Sequence, residues 1–281
     1  MQNGIVDFLS SSLNSKILNV SPISGGCINE CYKLTTNRDS YFIKLNKKFN
    51  PFVEEQKGLD ILRATRTFFI PKVLLIGKYE DYSFLLMQYV ESENQSSNFW
   101  NDFGKKLAAL HKISNESFGF DHNNYIGSLQ QINTWHTNSI EFFINCRLIP
   151  QLELLNDIND NQFFKSFDTL FNILNEILPD GKPSLLHGDL WSGNYMVGKN
   201  GNPAIVDPAV YYGFREADIA MSKLFGGFAN QFYDTYNETF PLEINWQSRV
   251  QVWNLYPLLV HANLFGSSYL NQVKSIIKNY I

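Results

Sequence analysis

Cysteine is scarce in this 281-residue chain, limited to Cys27, Cys31 and Cys146. So few, in an odd number, exclude a disulfide framework and fit a reducing compartment. Basic runs are also missing. The 23 lysines and arginines are scattered among 27 acidic residues, for a formal net charge of -4. Such a chain is a poor polyelectrolyte partner for nucleic acid. No apolar stretch approaches the ~20 residues that span a bilayer. The opening MQNGIVDFLSSS lacks a basic n-region and carries Asp7 ahead of any long apolar run, so it does not read as a signal peptide. A soluble, cytoplasmic protein with no nucleic-acid or membrane partner is expected.

Aromatic residues are abundant: 23 Phe and 14 Tyr help bring the aromatic share to 15%. The length allows one large domain or two modest ones, enough to bury a core without covalent staples. From about Val20 to Val90 the signals are those of strands. ECYKLTT alternates, with Cys31, Lys33 and Thr35 on one face and Tyr32, Leu34 and Thr36 on the other. A turn at 37–40 leads into the returning strand SYFIKLN, then a helix from Pro51 to about Thr65, then KVLLIGKY and YSFLLMQYV. The polar run ESENQSSN is the best linker, giving an N-terminal lobe over 1–90 and a C-terminal lobe over 91–281. Beyond it the pattern is helical, with helices expected from Phe99, over Trp135–Leu155 and over Asn161–Leu178. Two short β signals flank the densest polar motif of the chain.

That motif is HGDLWSGN, His187 to Asn194, followed by AIVDPA with Asp207 at the end of a second apolar strand. An Asp, four residues, an Asn and a later strand-end Asp match the spacing of a kinase catalytic loop and its metal aspartate. Phosphoryl transfer uses such a set: one carboxylate takes the hydroxyl proton, while an amide oxygen and a second carboxylate hold Mg²⁺ on the phosphates. Any one of these residues alone is as readily a turn former; the joint spacing carries the argument. Two upstream features agree with it. Gly25 and Gly26, with Cys27, Ile28 and Asn29, form a loop whose backbone amides could cover ATP phosphates, although two glycines alone also suit a plain hairpin turn. Lys44 lies among apolar residues in its strand, and Glu55 follows eleven residues later in the helix, the order of the kinase lysine and its partner. An edge-strand lysine is the plainer alternative. His187 reads as a hydrogen bonder bracing the loop. Trp191, two residues past Asp189, offers an indole to stack on a sugar. No histidine shows metal-ligand spacing with cysteine.

HGDLWSGN together with IVDPAVYYGFREADIAMSKLFGGF, SGGCINECY, FGFDHNNYIGSLQQINTW, EFFINCRLIPQL and LYPLLVHANLFG resembles the fructosamine/ketosamine-3-kinase family over nearly the whole chain. The resemblance implies an α+β, bilobal protein-kinase-like fold, with a small antiparallel N-lobe and a larger helical C-lobe. It implies ATP and Mg²⁺ as cofactors and phosphorylation of the 3-hydroxyl of ketoamines, in deglycation of amines. By the same resemblance Asp189 is the catalytic base, Asn194 and Asp207 hold the metal, and Lys44 and Glu55 serve the phosphates. Gln88, Tyr89 and Val90 then lie in the hinge that holds adenine, and Asp218 steadies the catalytic loop. Cys27 is a candidate redox site, so the chain is expected to be a monomer or a redox-linked dimer. Phe214 and Val260 depart from the family's pattern and are expected near the acceptor side. The alternatives are another small-molecule kinase of the same fold, acting on an aminoglycoside, choline or homoserine, and an inactive nucleotide-binding pseudokinase.

Overall fold

The computed structural model describes residues 3–24, 28–155 and 160–281. The chain divides into two compact units, 1–97 with 196–206, and 98–195 with 207–281. The first is built on a five-stranded antiparallel sheet in the order β1-β2-β3-β5-β4. Its elements are α1 (Asn3–Ser12), β1 (Ile17–Pro22), β2 (Glu30–Thr36), β3 (Ser40–Asn46), α2 (Phe52–Ala64), β4 (Val73–Tyr79) and β5 (Tyr82–Gln88). The alternation expected for β2 holds, since Leu34 and Thr36 are buried on one face. Leu34 packs with Ile43, Leu45, Phe84 and Leu86, and α1 covers that face with Ile5 and Leu9, one helical turn apart. The register pairs Lys44 with Leu85, so Lys44 points from the opposite face, the side on which it meets α2.

The second unit is mainly helical. It contains α3 (Phe99–His111), a hairpin of β6 (Asn124–Ile126) and β7 (Leu129–Gln131), α4 (Ser139–Phe143), α5 (Ile149–Glu153), α6 (Asn161–Ile177) and β8 (Ser184–Leu186). A second hairpin follows, β9 (Tyr195–Val197) with β10 (Pro203–Ile205), and most of it groups with the first unit. The chain continues through β11 (Tyr211–Gly213), paired with β8, then α7 (Glu216–Lys223), α8 (Asn230–Thr239), α9 (Trp246–Trp253), α10 (Leu255–Phe265) and α11 (Ser268–Ile277). α6 carries the expected apolar stripe, burying Phe163, Phe167, Leu170 and Leu174.

The helix expected over Trp135–Leu155 is different. It begins only at Ser139, where the Asn138 side chain caps the N–H groups of Ile140 and Glu141. His136 instead bridges to Phe118 in extended conformation. The helix is then interrupted by a π-helical turn over Ile144–Leu148. Pro150 sits in the first turn of α5, where its missing N–H breaks the i to i-4 ladder of any continuous helix.

Candidate active site

In the first unit the buried Lys44 Nζ lies 2.7 Å from Glu55 Oε1, their side chains 5% and 12% exposed. A lysine is held in that interior only because a carboxylate compensates its charge. The plain edge-strand explanation fails, because β3 lies between β2 and β5. The end of the Gly-rich segment is tied to the last residue of β3, two positions beyond Lys44. Asn46 Nδ2 donates to Asn29 Oδ1 at 2.8 Å and to the Ile28 carbonyl at 3.5 Å. Gly25, Gly26 and Cys27 lie outside the described residues, and with them the amide loop and the cysteine-linked dimer. Gln88 ends β5, with its N–H on the Lys72 carbonyl and its side chain exposed. Tyr89 is half-buried beneath the Lys33 ammonium and Val90 is buried.

In the second unit the segment after β8 is organised by Asp218 from the first turn of α7. Its carboxylate accepts the backbone N–H of His187 at 2.8 Å and of Gly188 at 2.9 Å. On its other side stands His111 at the end of α3, with Nε2 3.2 Å from Asp218 Oδ2 and Nδ1 2.8 Å from the Tyr236 hydroxyl. Since a carboxylate only accepts, His111 donates from Nε2 and accepts from Tyr236. Burial pushes the His111 pKa down, against the pull of Asp218. Burial alone would raise the Asp218 carboxyl, but the hydrogen bond it accepts from His111, with the Gly188 N–H, holds it below its usual range. Asp218 therefore steadies the loop as an ionised acceptor, in addition to being an acid in a helix's first turn.

Only glycine fits at 188. Its φ is +81°, and a Cβ there would stand 2.0 Å from the Ala209 carbonyl oxygen. That close approach lets the Ala209 N–H reach the His187 carbonyl at 2.9 Å, tying the loop to the segment after Asp207. Within the loop, the Asp189 N–H donates to His187 Nδ1 at 3.3 Å, the bracing expected of that histidine. Asn194 Nδ2 donates to the Asp189 backbone oxygen and to its Oδ2, both at 2.8 Å, and lies 3.5 Å from the Asp207 carbonyl. Asp189, Asn194 and Asp207 therefore meet, as their spacing predicts. Asp207 itself has a left-handed φ of +55°. Such a conformation is tolerated by Asp but typical of sites held under constraint.

With its amide nitrogen committed to Asp189, Asn194 has its side-chain oxygen left to offer a cation. Among the described residues no group of three or more His, Cys, Asp or Glu could hold a metal. An amide oxygen and one carboxylate, without a dedicated cage, is a donor set that suits Mg²⁺ shared with substrate phosphates. Trp191 is half-buried: its ring lies over Gly193, where a Cβ would approach to 2.5 Å, and sits edge-on to Phe225 at 5.9 Å. Phe214 and Val260 present no exposed side chain to an acceptor. Phe214 is buried and stacked on Trp253, and Val260 is buried in α10, so both are core packing.

Sequence reasoning missed several supports. His111 offered only a histidine on an apolar helix face. A buried amide cluster also holds the strand after Asp207: Gln131 Nε2 donates to the Ala209 carbonyl and Asn124 Nδ2 to that of Val210. Tyr256 donates its hydroxyl to Gln131 Oε1, and the buried Arg147 donates to Asn133 Oδ1. The polar residues within IGSLQQINTW were the available signal.

The family model for fructosamine kinase matches this chain over residues 1–281. The chain belongs to the fructosamine kinase family. A probable ketoamine kinase of Vibrio parahaemolyticus is 38% identical to this family member over 92% of this chain and 91% of its own. The chloroplastic protein-ribulosamine 3-kinase of Arabidopsis thaliana is 37% identical over 97% and 86%. Among solved structures, a Haemophilus somnus protein assigned as a fructosamine-3-kinase superposes with a TM-score of 0.86 at 29% identity, covering 98% of this chain and 96% of that one. An aminoglycoside phosphotransferase superposes at 0.66 with 14% identity, over 99% and 98%, which places the fold among protein-kinase-like phosphotransferases. This fructosamine kinase family member is thus an α+β enzyme of kinase fold. No helix among its described residues is long and apolar enough to cross a membrane.

Proposed function

We propose that the enzyme transfers the γ-phosphoryl group of ATP to the 3-hydroxyl of a ketoamine, a sugar such as ribulose or fructose joined to an amine. The observation that carries this reading is the Asp189–Asn194–Asp207 junction, braced by Asp218, in a chain of this family. Asp189 orients the acceptor hydroxyl and takes its proton. The hydroxyl oxygen forms a bond to phosphorus as the bond from phosphorus to the β,γ-bridging oxygen breaks, and ADP leaves with that electron pair. Asn194 donates to Asp189 Oδ2 and so fixes the rotamer of the base. Asn194 and Asp207 would hold Mg²⁺, which neutralises phosphate charge when bound. Lys44, oriented by Glu55, reaches the α- and β-phosphates. Gln88–Val90 serve adenine through their backbone, and Trp191 stacks on the sugar. The two curated relatives named above, a ketoamine kinase and a ribulosamine 3-kinase, favour a ketoamine over an aminoglycoside, choline or homoserine acceptor.

The test is ATP consumption against ribulosyl-, erythrulosyl- and fructosyl-amines, with kanamycin, choline and homoserine as the other arms. Turnover is expected with ketoamines only. Asp189→Asn should abolish it while nucleotide still binds. Turnover confined to a non-ketoamine acceptor, or an active Asp189→Asn enzyme, would refute the assignment.

A further inference from the structure

One charge in the second unit is not explained by stability. The Arg147 guanidinium is fully buried, and among the described residues no carboxylate pairs with it. Its acceptors are the carbonyls of Ile132 and Cys146 and the side-chain oxygen of Asn133, and its Nε has no acceptor there. Its flanks are the ring faces of Tyr211, at 3.9 Å, and Phe142, at 4.5 Å. A lone buried cation is costly, and well-packed apolar residues commonly serve stability as well or better. Arg147 also stands in the π-helical turn over Ile144–Leu148, and such turns inside helices occur frequently at functional sites.

What Arg147 supplies is direction. An amide in a buried chain can face either way, and a residue that only donates decides which. Arg147 donates to Asn133 Oδ1 at 2.8 Å, so Asn133 turns its NH₂ onward, to Asn124 Oδ1 at 2.9 Å. Asn124 in turn offers its NH₂ to the Val210 carbonyl at 2.8 Å. A second arm starts at Tyr256, whose hydroxyl donates to Gln131 Oε1 at 2.9 Å. Gln131 Nε2 then serves Asn124 Oδ1 at 2.8 Å and the Ala209 carbonyl at 3.1 Å. Both arms end on the backbone just past Asp207. Ala209 is where that backbone meets the catalytic loop, through its N–H on the His187 carbonyl and its close approach to Gly188. Asp207 itself holds φ +55°, a conformation that persists only where the surroundings enforce it.

We infer that Arg147 is a positioning residue for phosphoryl transfer. By fixing the polarity of the amide chain it holds the Ala209–Val210 backbone, and so the left-handed turn that presents the Asp207 carboxylate. Tyr256 does the same for the second arm. The inference rests on the assignment of Asp207 to the metal. Arg147 acts through the backbone and takes no part in the chemistry.

The experiment compares the wild type with Arg147→Met and Tyr256→Phe, at a temperature where circular dichroism shows each chain folded. Three quantities are read: hydrogen exchange of the backbone amides, ATP affinity by calorimetry with and without Mg²⁺, and kcat and KM for a ribulosylamine. In Arg147→Met the gain in ATP affinity on adding Mg²⁺ should shrink by about tenfold, and kcat should fall by about 10- to 100-fold, the range for groups that orient metal ligands. KM for the ribulosylamine should hold. Amides 209–212 should exchange faster while those of α6 keep their protection. Tyr256→Phe should show the same pattern, with kcat down by up to about tenfold, the worth of one hydrogen bond. A folded Arg147→Met chain with wild-type exchange and a wild-type Mg²⁺ effect overturns the inference. So does faster exchange spread evenly over α6 and the loop, the mark of a merely structural role. If Arg147→Met does not fold, the same outcomes are read from Tyr256→Phe. A wild type whose ATP affinity ignores Mg²⁺ removes the metal assignment, and this inference with it. Nucleotide binding and exchange need no acceptor, so a wild type idle on every ketoamine refutes the proposed function and leaves this test standing.

Discussion

Asp218 shows how one side chain sets the geometry of another. Its two oxygens take the N–H groups of His187 and Gly188, which places the following Asp189 without touching the reacting atoms. Asp218→Asn keeps the shape but leaves an NH₂ facing one of two buried N–H groups. Urea unfolding should show a loss of about 1–3 kcal/mol, the cost of a buried donor without a partner. kcat should fall by about 10²-fold, the order of effect of small misplacements at a reacting centre, with the KM for ATP less affected. Unchanged stability and kcat would remove Asp218 from this role. At this scale much was legible in the sequence. The spacing of Asp189, Asn194 and Asp207 placed them together, and Lys44 with Glu55 eleven residues later proved an ion pair. His111 was not legible, because its partner Asp218 lies 107 residues away and no local pattern links them. Phe214 and Val260 misled, since burial depends on what packs across from a residue.

The junction of α3 and α7 makes a prediction at the scale of elements. His111 joins them through Asp218 and is held neutral by burial. Its folded pKa lies below the ordinary 6.5, so between those two values the unfolded chain binds more protons than the folded one. Stability is therefore fully present above pH 6.5 and falls as the pH drops through that window. Denaturation midpoints measured from pH 7.5 to 5 should decline for the wild type. His111→Gln should remove up to about 1.4 kcal/mol per pH unit of that slope. The half-buried His261, shifted in the same direction, preserves part of it. A slope identical in both proteins would mean that His111 titrates normally. Strands β2 to β5 and helix α6 could be read from periodicity because each buries one face. α1 escaped notice as a short helix whose pattern, Ile5 and Leu9, completes only against the sheet. The π-helical turn before Pro150 depends on a local break that a hydrophobic stripe does not record.

For the whole molecule, a net charge of -4 and an absence of basic runs leave a kinase to meet polyanionic ATP with local devices. In the proposed mechanism those devices would be the Lys44–Glu55 pair in one unit and the Asn194–Asp207 oxygens in the other. Acceptor chemistry is the least legible layer from sequence, because the loop of Trp191 is read locally while its ring neighbour Phe225 comes from the turn after α7. The central claim is a regiospecific transfer to a ketoamine. The most direct measurement is ³¹P–¹H correlation NMR of the product formed from ATP and ribulosyl-lysine, followed over time. The account predicts a phosphorus signal coupled to the proton on carbon 3 of the sugar, then decay with release of free lysine. Phosphate on any other oxygen, or ATP hydrolysis without a phosphorylated sugar, would contradict it.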